Sequence, residues 1–288
     1  MKIDQILKNK RTLSFEVFPP KKEGGEKEEL LRTIDSLKEL SPDFISVTYG
    51  AGGSNARSAA EIAGYIKSVG IEPLAHITGG PSSPKDVDAV TAELARLNVE
   101  NILALRGDRP LDFSAEYCKY FAHATDLIEY IGDKFCMGAA CYPEGHIECA
   151  NLREDLLNLK KKQDAGAKFF ITQIFYDNSY YYRLLSEAKK EGITVPIIPG
   201  IMPIVNAKNL TRIKNMCGST IPLDFRNMIE TYAEKPAVMR EVGLNYAVYQ
   251  IMDLIAKGAP GVHLYIMNRA DTAAEICQRL KNVIHELF

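Results

Sequence analysis

The stretch EPLAHITGGPSSPKDVDAVTAELARLNVENILALRG, from Glu72 to Gly107, holds one full cycle of the alternation that decides the fold. Its first seven residues, Glu72–Thr78, are apolar in the main and are followed by Gly79, Gly80 and Pro81, which reads as a strand. Val87, Val90, Leu94 and Leu97 then fall at i, i+3, i+7 and i+10, one stripe of a helix with 3.6 residues per turn. A second short apolar run, Asn101–Gly107, reads as the next strand.

The same cycle extends in both directions. Upstream lie Arg11–Phe18 (RTLSFEVF), closed by Pro19 and Pro20, and Phe44–Gly50 (FISVTYG). Downstream lie Lys134–Cys141, Lys168–Phe175, Val195–Met202 and Gly261–Met267. Pro196 and Pro199 weaken the seventh of these, because proline supplies no ladder donor. Between the strands the pattern is helical: Leu152, Leu156 and Leu159 repeat at i, i+4 and i+7. Thr272 and Glu275 have the spacing of a capping box that would open the last helix. The connection after the seventh strand runs from about Pro203 to Pro260, long enough for an extra short helix before a long one near Lys235–Lys257. Eight strands, each followed by a helix, predict a single (β/α)8 TIM barrel over residues 1–288. A doubly wound open sheet competes, because periodicity is blind to closure. No Gly/Pro/Ser-rich linker divides the chain.

Composition removes several function classes. The 35 Lys and Arg against 37 Asp and Glu leave a net charge of −2, which gives no attraction toward nucleic acid or an anionic membrane. No apolar run is long enough for a membrane span, and the start, MKIDQILKNKRTLSFEVF, has no secretory leader pattern. None of the six cysteines forms a CxxC pair; they read as structural residues of a reducing compartment, and the expected location is cytoplasmic.

In a barrel, function gathers where the strands end. Here those ends are polar: Thr48 and Tyr49; His76 and Thr78; Arg106 and Asp108; Tyr142, Glu144 and His146; Gln173, Tyr176 and Asp177; Asn268 and Arg269. Buried polar groups are costly unless paired, so this convergence reads either as a ligand site or as satisfied barrel-mouth hydrogen bonds. Glu16, between Phe15 and Val17, is the sharpest residue. Apolar surroundings favour the neutral form of a carboxyl group, which suits a general acid near neutral pH. The competing reading pairs Glu16 with Arg106 or another base inside the barrel, as a structural pair that holds the fold together.

Other motifs carry less. Gly50–Asn55 (GAGGSN) lacks the third glycine of a dinucleotide fingerprint, and no Walker A sequence occurs. His146-Ile147-Glu148-Cys149 does not match ordinary metal spacing, so no metal is expected. Lys160, Lys161 and Lys162 lie opposite the leucine stripe of their helix, by default a solvated face, from which Lys162 can still reach the barrel mouth.

Taken together, SFEVFPP (Ser14–Pro20), VTYGAGG (Val47–Gly53), PLAHITG (Pro73–Gly79), LALRGD (Leu103–Asp108), YPEGH (Tyr142–His146), DLLNLKKKQDAGA (Asp155–Ala167), ITQIFYD (Ile171–Asp177), PGIMP (Pro199–Pro203) and YIMNRA (Tyr265–Ala270) make the chain resemble bacterial methylenetetrahydrofolate reductases along nearly its whole length. The resemblance implies a single catalytic barrel that binds FAD at its mouth. It implies reduction of 5,10-methylenetetrahydrofolate to 5-methyltetrahydrofolate by a ping-pong mechanism, with NADH as the usual donor. By motif, Glu16 corresponds to the family's general acid and Asp108 to the aspartate near pterin and flavin. Gln173 corresponds to a pterin contact. Flavin contacts map onto Thr48, His76, Arg106, Gly107, Tyr142, His146, Asp155 and Lys162, and Arg269 is a further candidate for substrate or nicotinamide. A phenylalanine of some relatives is replaced by Ile213, which has no aromatic face to stack; Phe225 or Tyr232 could stand in for it. With the sequence ending at Phe288, no regulatory domain of the kind appended in eukaryotic relatives is expected. A homo-oligomer is expected, with an electron-delivering partner protein as an alternative source of reductant. Two other readings stay open: a flavin-independent, pterin-binding methyltransferase-like barrel, and a flavin-binding electron-transfer subunit of a larger complex.

Overall fold

Why the apolar runs become strands is visible in a computed structural model, which describes residues 1–20, 25–49, 56–108, 117–208 and 218–288. Gly50–Asn55, Ile213 and Cys217 lie outside the described residues. The strands are β1 (Thr12–Val17), β2 (Phe44–Val47), β3 (Glu72–Thr78), β4 (Asn101–Leu105), β5 (Cys136–Cys141), β6 (Phe169–Thr172), β7 (Ile197–Ile198), β8 (Gly200–Ile201) and β9 (Gly261–Tyr265). The helices are α1 (Ile3–Asn9), α2 (Gly25–Lys38), α3 (Ala56–Ser68), α4 (Pro84–Arg96), α5 (Ala124–Ile131), α6 (Leu152–Asp164), α7 (Asn178–Lys190), α8 (Leu223–Tyr232), α9 (Pro236–Ala256), α10 (Ala270–Arg279) and α11 (Lys281–Leu287).

The sheet is parallel throughout, in the order β7-β6-β5-β4-β3-β2-β1-β9-β8. Its two ends are adjacent in sequence, separated by Pro199 alone. β7 and β8 are therefore one strand broken at a proline: its first half pairs with β6 and its second with β9. Pro196 and Pro199 are tolerated because both serve the ladder as acceptors. The Phe170 N–H donates to Pro196 O at 2.8 Å, and the His263 N–H donates to Pro199 O at 3.0 Å. The sheet closes, which excludes the open doubly wound alternative.

Closure divides the strands' side chains into two sets. On β1, Leu13, Phe15 and Val17 belong to the main apolar core with Ile34 and Leu37 of α2 and Ile62 and Ile66 of α3. The alternate residues Thr12, Ser14 and Glu16 are buried too, although they are polar. A smaller apolar cluster gathers Phe44, Leu74, Cys136 and Phe169 near the strand beginnings with Ile3 and Leu7 of α1. Asn101 fastens this helix: its Oδ1 accepts from the Ile3 N–H at 2.8 Å, and its Nδ2 donates to Met1 O at 3.1 Å. The N-terminal end of the barrel is thus plugged, and the C-terminal end is left for chemistry. There Asn268 ties the loop after β9 to the end of β1, accepting from the Phe18 N–H at 2.8 Å and donating to Phe18 O at 2.9 Å.

The expected capping box is not formed. α10 begins at Ala270, which puts Thr272 inside its first turn, where the Thr272 hydroxyl accepts from Arg240 at 3.3 Å. Glu275 binds the same guanidinium at 2.7 Å. A tertiary partner has taken both side chains that the sequence spacing offered to the helix end. Among the described residues, no helix is long and apolar enough to cross a membrane.

Gly243 lets α9 press against the chain beyond β8, since a Cβ there would lie 2.0 Å from Ile204 O. Helix propensity favours alanine over glycine by about 1 kcal/mol, but overpacking against backbone costs about 1–3 kcal/mol. Gly243→Ala should therefore lower stability by roughly 1–2 kcal/mol in urea unfolding. A stabilised variant would show that α9 has room to move away.

Candidate functional site

The register places Glu16 between β2 and β9, opposite Ser46 and Tyr265. Glu16 is 7% exposed, inside the upper barrel. Oε2 lies 3.3 Å from Ser46 Oγ, 3.6 Å from His76 Nε2 and 3.9 Å from His263 Nε2. The pairing of Glu16 with Arg106 does not occur, because that guanidinium forms a two-pronged pair with Glu148 at 2.6 and 2.9 Å; the bases that stand beside Glu16 inside the barrel are His76 and His263. His76 stays neutral near pH 7. Burial is the largest cause and holds its pKa down at about 4, against the opposing pull of Glu16. Its Nε2 is buried with no hydrogen-bond partner.

A second group of site residues stands at the ends of β4 and β5 and on α6. Gly107 has a φ of +91°, and a Cβ there would come within 2.2 Å of Thr78 Cγ2, so glycine is required on both counts. Arg106 Nε donates to Gly107 O at 3.1 Å, and the Asp108 carbonyl accepts from Tyr117 Oη at 2.7 Å while the Asp108 residue is exposed. The Tyr142 and His146 rings meet edge to face, with centres 4.6 Å apart. The Glu148 N–H donates to His146 Nδ1 at 3.1 Å.

α6 supplies Asp155 from its first turn and Lys162 from its last. Asp155 Oδ2 accepts from the His146 N–H at 3.2 Å. Lys162 departs from the solvated face expected for its run: Nζ donates to Ala140 O at 2.9 Å and lies 5.9 Å from the centre of the Tyr142 ring. Burial pushes the Lys162 pKa down and the Asp155 pKa up, and their mutual attraction offsets only part of this. Burial also drives the Tyr142 phenol above its usual range and, with Arg106 nearby, lowers His146.

The remaining predicted residues lie on the rim. The Thr48 N–H donates to Val17 O at 3.1 Å. Gln173 Oε1 accepts from the Ile174 N–H at 2.8 Å. Arg269 is exposed and paired with Asp271 at 3.2 Å. Phe225 cannot replace an aromatic at position 213, because it is buried and stacked on Tyr246 with ring centres 3.7 Å apart. Sequence reasoning passed over Ser14, Ser46 and His263 beside Glu16, and Glu148 on Arg106. The one local signal for the first three was a polar residue at every second position of a strand.

The profile of the family described as Methylenetetrahydrofolate reductase matches residues 2–281. The chain is 35% identical over 269 residues to the Escherichia coli 5,10-methylenetetrahydrofolate reductase, covering 93% of this chain and 90% of that one. It is 34% identical over 296 residues to Methylenetetrahydrofolate reductase (NADH) 1 of Arabidopsis thaliana, and 35% identical over 292 residues to Methylenetetrahydrofolate reductase 1 of Schizosaccharomyces pombe. The match takes in 97% of this chain in both cases but 50% and 48% of those proteins, so the chain spans about half the length of the plant and yeast relatives. Bacterial, plant and fungal proteins are equally similar, so the likeness is not specifically bacterial. Among solved structures, an uncharacterized Clostridium thermocellum protein that binds two copies of 5-methyl-5,6,7,8-tetrahydrofolic acid superposes with a TM-score of 0.64 at 19% identity, over 98% of this chain and all of that one. At that identity the likeness is one of fold.

His76 makes the site acid-sensitive. Its folded pKa lies below the ordinary value of 6.5, so the unfolded chain takes up the proton first. The stability it contributes is complete above pH 6.5 and falls as the pH drops toward 4. The loss amounts to roughly 3 kcal/mol. Urea unfolding followed by circular dichroism should show the His76→Gln protein losing about that much less than the unmodified protein between pH 7 and pH 4. Parallel losses would mean that His76 is protonated in the folded barrel.

Proposed function

The chain belongs to the methylenetetrahydrofolate reductase family, and from that premise we propose that it reduces 5,10-methylenetetrahydrofolate to 5-methyltetrahydrofolate, with FAD as its resident cofactor and NADH as the donor. The observation that carries the reading is a buried carboxyl group, Glu16, at the open end of a barrel whose other end is plugged.

The residues at the mouth fit a flavin nucleotide. His76 Nε2 is a buried polar atom in want of a partner, and Gly107 keeps the end of β4 free of side-chain bulk. Lys162 and Arg106 are cations suited to a pyrophosphate, and Asp155 is an acceptor suited to hydroxyl donors. Thr48, Tyr142 and His146 complete the set. When bound, FAD supplies the hydride relay between nicotinamide and folate. Arg106 must exchange Glu148 for the incoming phosphate, a trade of one anionic partner for another.

Glu16 has a defined task. The bridge carbon leaves one folate nitrogen as the ring opens to an iminium, and that nitrogen keeps the bonding pair and takes the Glu16 proton. The neutral His76 beside Glu16 places no positive charge there to pull the proton off early. Asp108 and Gln173 accept and donate to the pterin, and Arg269 stands at the rim for the longer parts of folate or nicotinamide nucleotide. Donor and folate use the site in turn, so these rim contacts serve both.

Glu16→Gln should retain FAD and accept hydride from NADH, while its oxidation by methylenetetrahydrofolate in anaerobic stopped flow slows roughly 100- to 10,000-fold. Near-normal folate reduction would remove Glu16 from this role. Asp108→Asn should weaken folate binding and make the flavin potential more positive, because an anionic reduced flavin loses a repelling neighbour. An unchanged or more negative potential in spectroelectrochemical titration would count against that charge effect.

A further inference from the structure

Beneath Glu16 runs a chain of hydroxyl and imidazole groups whose hydrogens can be assigned by counting donors. Ser14 Oγ lies 3.2 Å from Val262 O and 2.8 Å from His263 Nδ1. A backbone carbonyl only accepts, and Ser14 has one hydrogen to give. Both contacts are hydrogen bonds only if Ser14 donates to Val262 and accepts from an Nδ1–H of His263. In the neutral ring, Nε2 is then a bare acceptor. Ser46 Oγ lies 3.3 Å from that Nε2 and 3.3 Å from Glu16 Oε2. Ser46 also has one hydrogen. With the ring neutral and Nε2 bare, both of its contacts are satisfied only when it donates to His263 and accepts from a protonated Glu16.

With a neutral His263 the chain has one direction: Glu16 to Ser46, Ser46 to His263, His263 to Ser14, Ser14 to Val262 O. The carbonyl, which has no proton, fixes the Ser14 and Nδ1 end, and the neutral ring carries that polarity on to Glu16. His263 is 1% exposed, stacked on Phe44 and edge-on to Tyr265, so its ring is held in place. The titratable groups facing it are Glu16 on β1, His76 on β3 and Tyr265 on its own strand.

We propose that His263, oriented by Ser14, is a positioning residue for the proton donor. Its bare Nε2 draws the Ser46 hydrogen away from Glu16, so the Ser46 oxygen accepts from the acid and holds it loaded. When Glu16 gives up its proton, the Ser46 hydrogen is free to turn to the new carboxylate. The catalytic part of this inference rests on the folate-reducing function; the polarity of the chain does not.

Long-range proton–nitrogen spectra of histidine-labelled holoprotein, recorded without folate and assigned with His263→Gln, test the polarity. The unmodified protein should show His263 protonated at Nδ1 and bare at Nε2. A protonated Nε2, in either the neutral or the charged ring, overturns the proposal, whatever the variants do. Ser14→Ala removes the acceptor for Nδ1–H, so its ring should switch to the Nε2–H form. FAD retention and reduction by NADH should be unchanged, while reoxidation by methylenetetrahydrofolate slows about 100-fold. Ser14→Thr keeps the hydroxyl and should restore both the original tautomer and the rate. A tautomer switch with no loss of rate overturns the positioning role. If Glu16→Gln also reduces folate normally, it is the function that fails, and the folate-free spectrum still decides the polarity.

Discussion

The barrel closes through a strand that cannot pair continuously. Pro199 has no N–H, and the chain on either side of it pairs with different neighbours, Ile197–Ile198 with β6 and Gly200–Ile201 with β9. The proline carbonyl still accepts from His263, so the break loses no acceptor. Closure turns one face of every strand into an interior, and the inward residues must then fill it or satisfy one another. Apolar residues and α1 fill the end where the strands begin. The end where they finish holds polar side chains, of which Ser14, Glu16, Ser46, His76 and His263 are buried away from water.

That confinement explains the pairing of the site groups. Ser14, Ser46 and His263 satisfy one another and reach Glu16. At the mouth, Arg106 is paired with Glu148, and Lys162 finds a backbone carbonyl. Burial dominates the titration of Asp155, Lys162, Tyr142 and His146, in each case against the charged form. His76 Nε2 is the departure, a buried nitrogen without a hydrogen bond beside the one carboxylate in the upper barrel assigned to proton transfer. A polar atom left in that condition is costly in the free protein and is well placed for a ligand to relieve.

The proposed function makes two demands on this mouth. It requires an anionic nucleotide to be held firmly, and nicotinamide and folate to be admitted in turn. In that proposal the cations and Gly107 serve the first on the β4–β5–α6 side, and Glu16, with the groups beneath it on β1, β2 and β9, serves the second. The two sides meet at His76 on β3, which stands between the carboxylate and the ends of β4 and β5.

The sequence by itself determined the strands and helices, because period-2 and period-3.6 patterns record which face of each element is apolar. It also determined the unusual status of Glu16, a charge inside an apolar strand, and the motif resemblance that points to folate chemistry. Only the tertiary structure decided closure, the plug formed by α1, and the partners of the polar residues. Periodicity says that Ser14 faces inward, but its hydrogen bond to His263 spans 249 positions and exists because β1 and β9 pair in one register. Arg106 and Glu148 are 42 positions apart, and their pairing displaced the simpler match between Arg106 and Glu16. The Thr272 and Glu275 spacing was right for a helix cap, yet Arg240, over 30 positions away, bound both first. Local sequence fixes what a side chain can do, whereas which neighbour it does it with depends on how distant strands are brought into register.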